Sequence, residues 1–310
     1  MQVKSHKVVA IAAAIALAVV GSAATTTSAN AAGTSLKGVS VIVGSKDFTE
    51  SIVLSKIVKQ FILANGGKVV DKTNIKGSST TREAMLSGDI NMYWEYTGTA
   101  WLVYQKQTDV NISPADLYKK VVAGDKKNKV TWGPMTSFND TYAWAITKAN
   151  ATKYGIKTYS DLVKKLPAGS AWCVESEFQS RPDGWAGFKT KYGISDSNIT
   201  TKVLDTGAIY QATKDGQCMV GEVFATDGRI GALGLMVPQE DISYFPPYNA
   251  ALTMTDATAK KYPQLVKALA PIAGKISNAT MQNLNARVDV LGEDADTVAK
   301  SFLSASGLVK

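Results

Sequence analysis

Apolar positions along the chain alternate between two spacings. Val39 to Val43 is a short β-branched run. Ile52, Val53, Ile57, Phe61 and Ile62 then recur at helical spacing until Asn65-Gly66-Gly67 stops them. Between the two, Asp47 and Glu50 have the spacing of a capping box, which predicts a helix start there. Lys68 to Val70 predicts a strand, Thr81 to Leu86 a helix and Ile90 to Tyr93 a strand. A β-α-β-α-β succession implies an α/β fold with a parallel sheet and helices on both faces. A second unit starts near Thr141, with strands predicted at Tyr142 to Ile146, Ser170 to Val174 and Cys218 to Phe224. Helices are predicted at Ser160 to Lys165 and at Trp185 to Tyr192, the latter ending at Gly193, while Ser176 to Gln179 reads as loop. After Pro246-Pro247 comes a strand, Ala250 to Met254, then helices from about Pro263 to the end.

The first residues follow another pattern. Lys4 and Lys7 precede an uncharged apolar run, Val8 to Val20, and small polar residues lead to Ala29-Asn30-Ala31. That is the layout of a secretory signal with cleavage near Ala31, and the run falls short of the ~20 apolar residues that span a bilayer. Residues 1–31 are therefore expected to be removed, leaving an exported chain on the periplasmic or extracellular side, soluble after cleavage. The chain's one histidine, His6, lies in that segment. Histidine triads, His-ligated zinc and imidazole bases are then excluded from the mature chain. Formal net charge is +8, and the segment supplies two of these charges, so +6 remains, scattered as pairs such as Lys119-Lys120 and Lys164-Lys165. A nucleic-acid partner would need clustering on one face, and none is expected. Cys173 and Cys218 permit one disulfide in an oxidising compartment, with two buried free thiols as the alternative. About 280 mature residues suit two lobes.

In open α/β sheets, ligands sit beyond the carboxyl ends of the strands. The unusual residues of this chain cluster there. The segments are Gly44 to Glu50, Trp94 to Thr99, Asn139 to Tyr142, Glu177 to Gly184, Phe224 to Gly228 and Phe245 to Tyr248. Each combines an aromatic or a cation with turn-forming residues. Such a set suits a bulky apolar cation with an anionic end. A quaternary ammonium has no N–H to donate, so its most specific partner is a box of π-faces, each contributing ~0.5–2 kcal/mol. Three or four rings would supply much of the ~8 kcal/mol behind a micromolar affinity. A carboxylate would want Lys or Arg.

Gly44-Ser45-Lys46, Glu95-Tyr96-Thr97-Gly98-Thr99 and Thr226-Asp227-Gly228, in this order, resemble the substrate-binding proteins of glycine betaine, carnitine and choline ABC transporters. The resemblance runs through the whole mature chain. It implies a two-lobe periplasmic-binding-protein (flytrap) fold with two chain crossovers. Lobe I would be 37–138 plus 242–310, and lobe II 139–241. It implies a cation cage of Tyr96, Tyr142, Phe224 and Tyr248, with Lys46, Thr99 and Arg181 meeting a ligand carboxylate. The third cage position is usually tyrosine in such proteins, and here it is Phe224. The implied partners are a small quaternary ammonium ligand, glycine betaine ahead of choline, and a permease subunit. No metal or cofactor is needed, and a monomer is expected.

Other roles compete for these residues. Tyr142 and Phe224 lie in apolar strands where core packing is the ordinary outcome. Arg181 could simply pair with Glu177, its i−4 neighbour, and Lys46 could be a solvated residue ahead of a helix. Asp140 and Asp227 read as turn-orienting groups. Tyr210, Trp94, Trp144 and Trp185 read as packing residues. An enzyme built on Glu175 and Glu177 would need both carboxylates on one strand face, where loop is expected. A sensor with the same binding fold is a further alternative.

Overall fold

A computed structural model describes residues 35–181 and 183–309, so the expected secretory signal lies outside the described residues. Strands β1 (Ser40–Lys46), β2 (Lys68–Ile75), β3 (Met92–Tyr96) and β4 (Val130–Asn139) begin a first sheet. The chain then builds a second from β5 (Tyr142–Thr147), β6 (Ser170–Val174), β7 (Ile199–Val203), β8 (Val220–Phe224) and β9 (Leu235–Met236). It returns with β10 (Asn249–Thr255) to complete the first. The orders are β2-β1-β3-β10-β4 and β7-β6-β8-β5-β9. Helices cover both sheets, giving a two-lobe α/β fold in which the chain crosses between lobes after β4 and again before β10.

The sheets are mixed, where the sequence implied parallel. β1 runs parallel to β2 and β3, and β6 to β7 and β8. By contrast β10 is antiparallel to β3 and β4, and β5 to β8 and β9. The reason lies in the crossovers. β3, β4 and β8 all end at the cleft, and a strand arriving from the other lobe enters at that same end and must run away from it. Hence Tyr96 pairs with Ala250 and Tyr142 with Phe224. The strand ends, and the aromatic residues on them, are thereby brought to one place.

Two local expectations are corrected. The helix Thr49–Ala64 starts at Phe48 with no side-chain cap. Asp47 instead accepts the Gly77 N–H at 3.3 Å, and Glu50 is buried in a contact with Tyr96. The expected loop at 176–179 is a short helix, Ser176–Ser180, capped by Glu175, whose side chain accepts the N–H groups of Glu177 and Phe178. Residues 100–138 carry no element in the sequence reading. They hold the helix Pro114–Asp125 and β4, whose pairing with β10 shifts register around Gly133-Pro134. Proline is tolerated there because β4 is an edge strand with a bulge.

The main apolar core is continuous from one lobe to the other. Val41, Val43, Leu54 and Ile57 pack under the first sheet. In the second, Trp144 meets Trp172, Trp185 and Phe188 at ring separations of 5.0, 5.2 and 4.8 Å. Trp94, Trp144, Trp185 and Tyr210 are all buried packing residues, as their setting in the sequence implied. Cys173 and Cys218 are joined as a disulfide with Cα atoms 5.8 Å apart. It ties β6 to the approach of β8. No helix among the described residues is long and apolar enough to cross a membrane.

Candidate functional site

Between the sheets lies a cavity of about 410 Å³. Its walls include Lys46, Phe48, Tyr96, Thr99, Tyr142, Arg181, Phe224 and Tyr248. All seven ligand-site positions proposed from the sequence therefore reach one space. They come from strand ends of both lobes: Tyr96 closes β3, Tyr142 opens β5, Phe224 closes β8 and Tyr248 precedes β10.

The rings form a connected wall. Tyr142 lies 5.4 Å from Phe224 and 5.5 Å from Tyr248, the latter nearly perpendicular at 85°. Phe48 bridges the remaining gap, 5.7 Å from Tyr96 and 5.1 Å from Phe224. Sequence reasoning placed Phe48 in a marked segment and left it out of the ring set. It sits at the start of a helix, within the marked segment Gly44 to Glu50, and the resemblance that implied the other four rings did not include it. Burial raises the phenol pKa values of Tyr96, Tyr142 and Tyr248 well above the ordinary range. The three tyrosines are thus neutral rings with their π-electrons intact. Gly98 is needed for this packing, since a Cβ there would fall 2.6 Å from the Tyr248 ring.

The two cations are already engaged. The Lys46 ammonium donates to Glu95 at 2.7 Å, with both groups buried, and lies 5.0 Å from the centre of the Tyr96 ring. Arg181 grips Asp183 through Nε at 2.9 Å and a terminal nitrogen at 2.5 Å, and also donates to Glu177 at 3.2 Å. Its guanidinium stands 5.4 Å from the Tyr142 ring. The Glu177 pairing foreseen as the plain alternative is present, alongside a stronger bidentate one to Asp183. Each cation retains N–H donors beyond these bonds. Thr99 lines the cavity from the short helix Thr97–Thr99.

The second lobe also reaches across the cleft. Glu177 Oε2 accepts the backbone N–H of Ser78, at the start of the helix Ser78–Ser87, at 2.8 Å. Burial works against the Glu177 charge, yet Lys46, Ser78 and Arg181 together hold its carboxyl below the usual value. Glu175 is spent on capping, and its own N–H is accepted by buried Glu222 at 2.7 Å. Burial, then repulsion from Glu175, pushes the Glu222 carboxyl up to about 8. The two glutamates considered for catalysis thus hold backbone groups and an arginine. Asp227 is paired with Arg229 at 2.5 Å, which fits a turn-orienting role, while Asp140 is buried against Thr226.

A family model described as the substrate binding domain of ABC-type glycine betaine transport systems matches residues 39–305. A glycine-betaine-binding protein of Pseudomonas aeruginosa is 35% identical over 269 residues, covering 84% of this chain and 86% of that protein. The carnitine transport binding protein OpuCC of Listeria monocytogenes is 32% identical over 264 residues, 84% of this chain and 85% of its own length. Among solved structures, a glycine betaine/carnitine/choline ABC transporter protein superposes with a TM-score of 0.71 at 29% identity, covering 86% of this chain and 99% of the other.

Proposed function

This chain belongs to the family of substrate-binding domains of ABC-type glycine betaine transport systems, and on that premise we propose that it captures a quaternary-ammonium osmoprotectant outside the cytoplasm and hands it to a membrane permease. The family consists of binding proteins, and the chain is one of them, not an enzyme. The observation that carries the ligand class is the convergence of Tyr96, Tyr142, Phe224 and Tyr248 on one cavity, with Phe48 completing the wall. Neutral buried rings from both lobes are what a methylated ammonium needs, because it has no N–H to offer.

Lobe I is read as 37–138 with 242–310 and lobe II as 139–241. A ligand touching both halves favours their closed arrangement in proportion to its preference for that state. The carboxylate of glycine betaine is assigned to the free donors of Lys46, the Thr99 hydroxyl and the remaining N–H of Arg181. Choline would leave these donors unmatched, at a loss of ~1–3 kcal/mol. Glycine betaine is therefore placed ahead of choline. One observation favours the opposite ranking: Lys46 and Arg181 already carry carboxylate partners in Glu95, Asp183 and Glu177. A cation without a carboxylate then meets no excess positive charge. Isothermal titration with glycine betaine, carnitine and choline decides between these readings. A clear choline preference would reverse the ranking, and no heat from any of the three would end the ligand assignment.

A further inference from the structure

The geometry points to Glu50 and Asp140 sharing one proton through the hydroxyl of Thr226, a clasp between the lobes that positions the Tyr96 ring and makes closure on the ligand take up a proton. The inference rests on the reading of Tyr96 as a cage wall. Thr226 Oγ1 lies 2.5 Å from Glu50 Oε2 and 2.5 Å from Asp140 Oδ1. A hydroxyl has one proton and can donate to only one of them. If both carboxyls were ionised, the other contact would press two electron-rich oxygens together with no hydrogen between. A proton on one carboxyl, donated back to Oγ1, satisfies both contacts.

The clasp spans the elements that must separate when the lobes part. Glu50 lies on the helix Thr49–Ala64, packed on the first sheet, and Thr226 follows β8 of the second. Asp140 sits on the crossover between β4 and β5. Glu50 also accepts the Tyr96 hydroxyl at 2.9 Å and the Asn285 side-chain amide at 3.2 Å. It is therefore a positioning residue for that ring.

The charged neighbours do not relieve the pair. Asp227 and Arg229 approach from beyond β8, and Asp289 from the helix Asn278–Asp289. Arg229 binds Asp227 at 2.5 Å and reaches Asp289 at 3.4 Å. Glu50 and Asp140 have no cationic partner among the described ion pairs. Burial accordingly raises both carboxyls, Asp140 to about 6 and Glu50 well above its ordinary value. In water the same groups titrate near 4.

The sign follows from linkage. The closed form holds a proton that the open form has released, so binding tightens as pH falls from the raised value toward the ordinary one. The limiting slope for one proton is tenfold in affinity per pH unit. Titration calorimetry with glycine betaine at pH 5, between the ordinary and the raised values, in buffers of different ionisation enthalpy, reads the uptake directly. Approximately one proton per bound ligand is expected, falling toward zero in Glu50→Gln and Asp140→Asn, whose amides supply a permanent donor. Thermal unfolding of each variant confirms that it is folded. Ligand heat with no proton uptake in the wild type, or undiminished uptake in both variants, overturns the clasp and leaves the ligand assignment standing. Absence of binding heat for glycine betaine, carnitine and choline alike overturns that assignment and the clasp with it.

Discussion

Tyr142 and Tyr248 stand at 85° to one another with ring centroids 5.5 Å apart, each placed where the chain crosses between lobes. One opens β5 and the other precedes β10, so the wall they form exists only because the two crossovers meet. Tyr96→Ala and Tyr142→Ala should each weaken quaternary-ammonium binding about tenfold or more, as loss of a desolvated cation–π contact implies. Far-UV circular dichroism should remain native. Unchanged affinity in both variants would remove the cage.

Gly98 offers a test that leaves every ring in the sequence. In Gly98→Ala the added methyl would lie 2.6 Å from Tyr248, closer than atoms settle. The ring must turn or shift, at an overpacking cost of ~1–3 kcal/mol. Affinity should fall by about as much as in Tyr248→Ala, with a lowered thermal midpoint. A variant with wild-type affinity would mean that the orientation of Tyr248 does not matter to the ligand.

The order of strands and helices was legible because β-branched runs and helical stripes are local. Sheet direction was not. It depends on which end of a sheet a strand enters, and that is decided by a crossover between strands far apart in the chain. The same limit applies within the site. Tyr96, Tyr142, Phe224 and Tyr248 were implied by the family resemblance, whereas Phe48, at a helix start in a marked segment, was not singled out. Lys46 was seen as a cation, but Glu95, which neutralises it at 2.7 Å, lies in another segment. The capping-box spacing of Asp47 and Glu50 was a false signal, because burial beside Tyr96 claimed Glu50 first.

The Cys173–Cys218 bridge closes a loop of 45 residues. Chain-entropy reasoning assigns such a loop about 4 kcal/mol, by restricting the unfolded chain. Replacing both cysteines by alanine should lower the unfolding free energy in urea by ~2–5 kcal/mol. Ligand affinity should change little, since neither cysteine lines the cavity. An unchanged urea midpoint would show that the bond contributes nothing to stability.

Glu222 makes stability depend on pH. Its folded-state value, about 8, lies above the ordinary 4.5. The native state thus keeps a proton that the unfolded chain releases, and stability falls as pH rises through this window. The limiting slope is ~1.4 kcal/mol per pH unit for one proton. Urea unfolding from pH 5 to pH 8 should show the decline, with a shallower one in Glu222→Gln. Equal slopes in the two proteins would assign the decline to other groups, with Glu50 and Asp140 next in line.

Thr99 separates the two ligand rankings without disturbing an ion pair. Truncating Arg181 would strand the carboxylates of Asp183 and Glu177, and removing Lys46 would strand buried Glu95, so loss of binding in either would be ambiguous. Thr99→Val keeps the shape and deletes one hydroxyl on the cavity wall. If that hydroxyl meets a ligand carboxylate, glycine betaine should bind about five- to tenfold more weakly, near 1 kcal/mol, while choline binds as before. Calorimetry on both ligands gives the ratio. Parallel losses would mean that Thr99 shapes the cavity for any methylated ammonium, and that the carboxylate end is held by Lys46 and Arg181 alone.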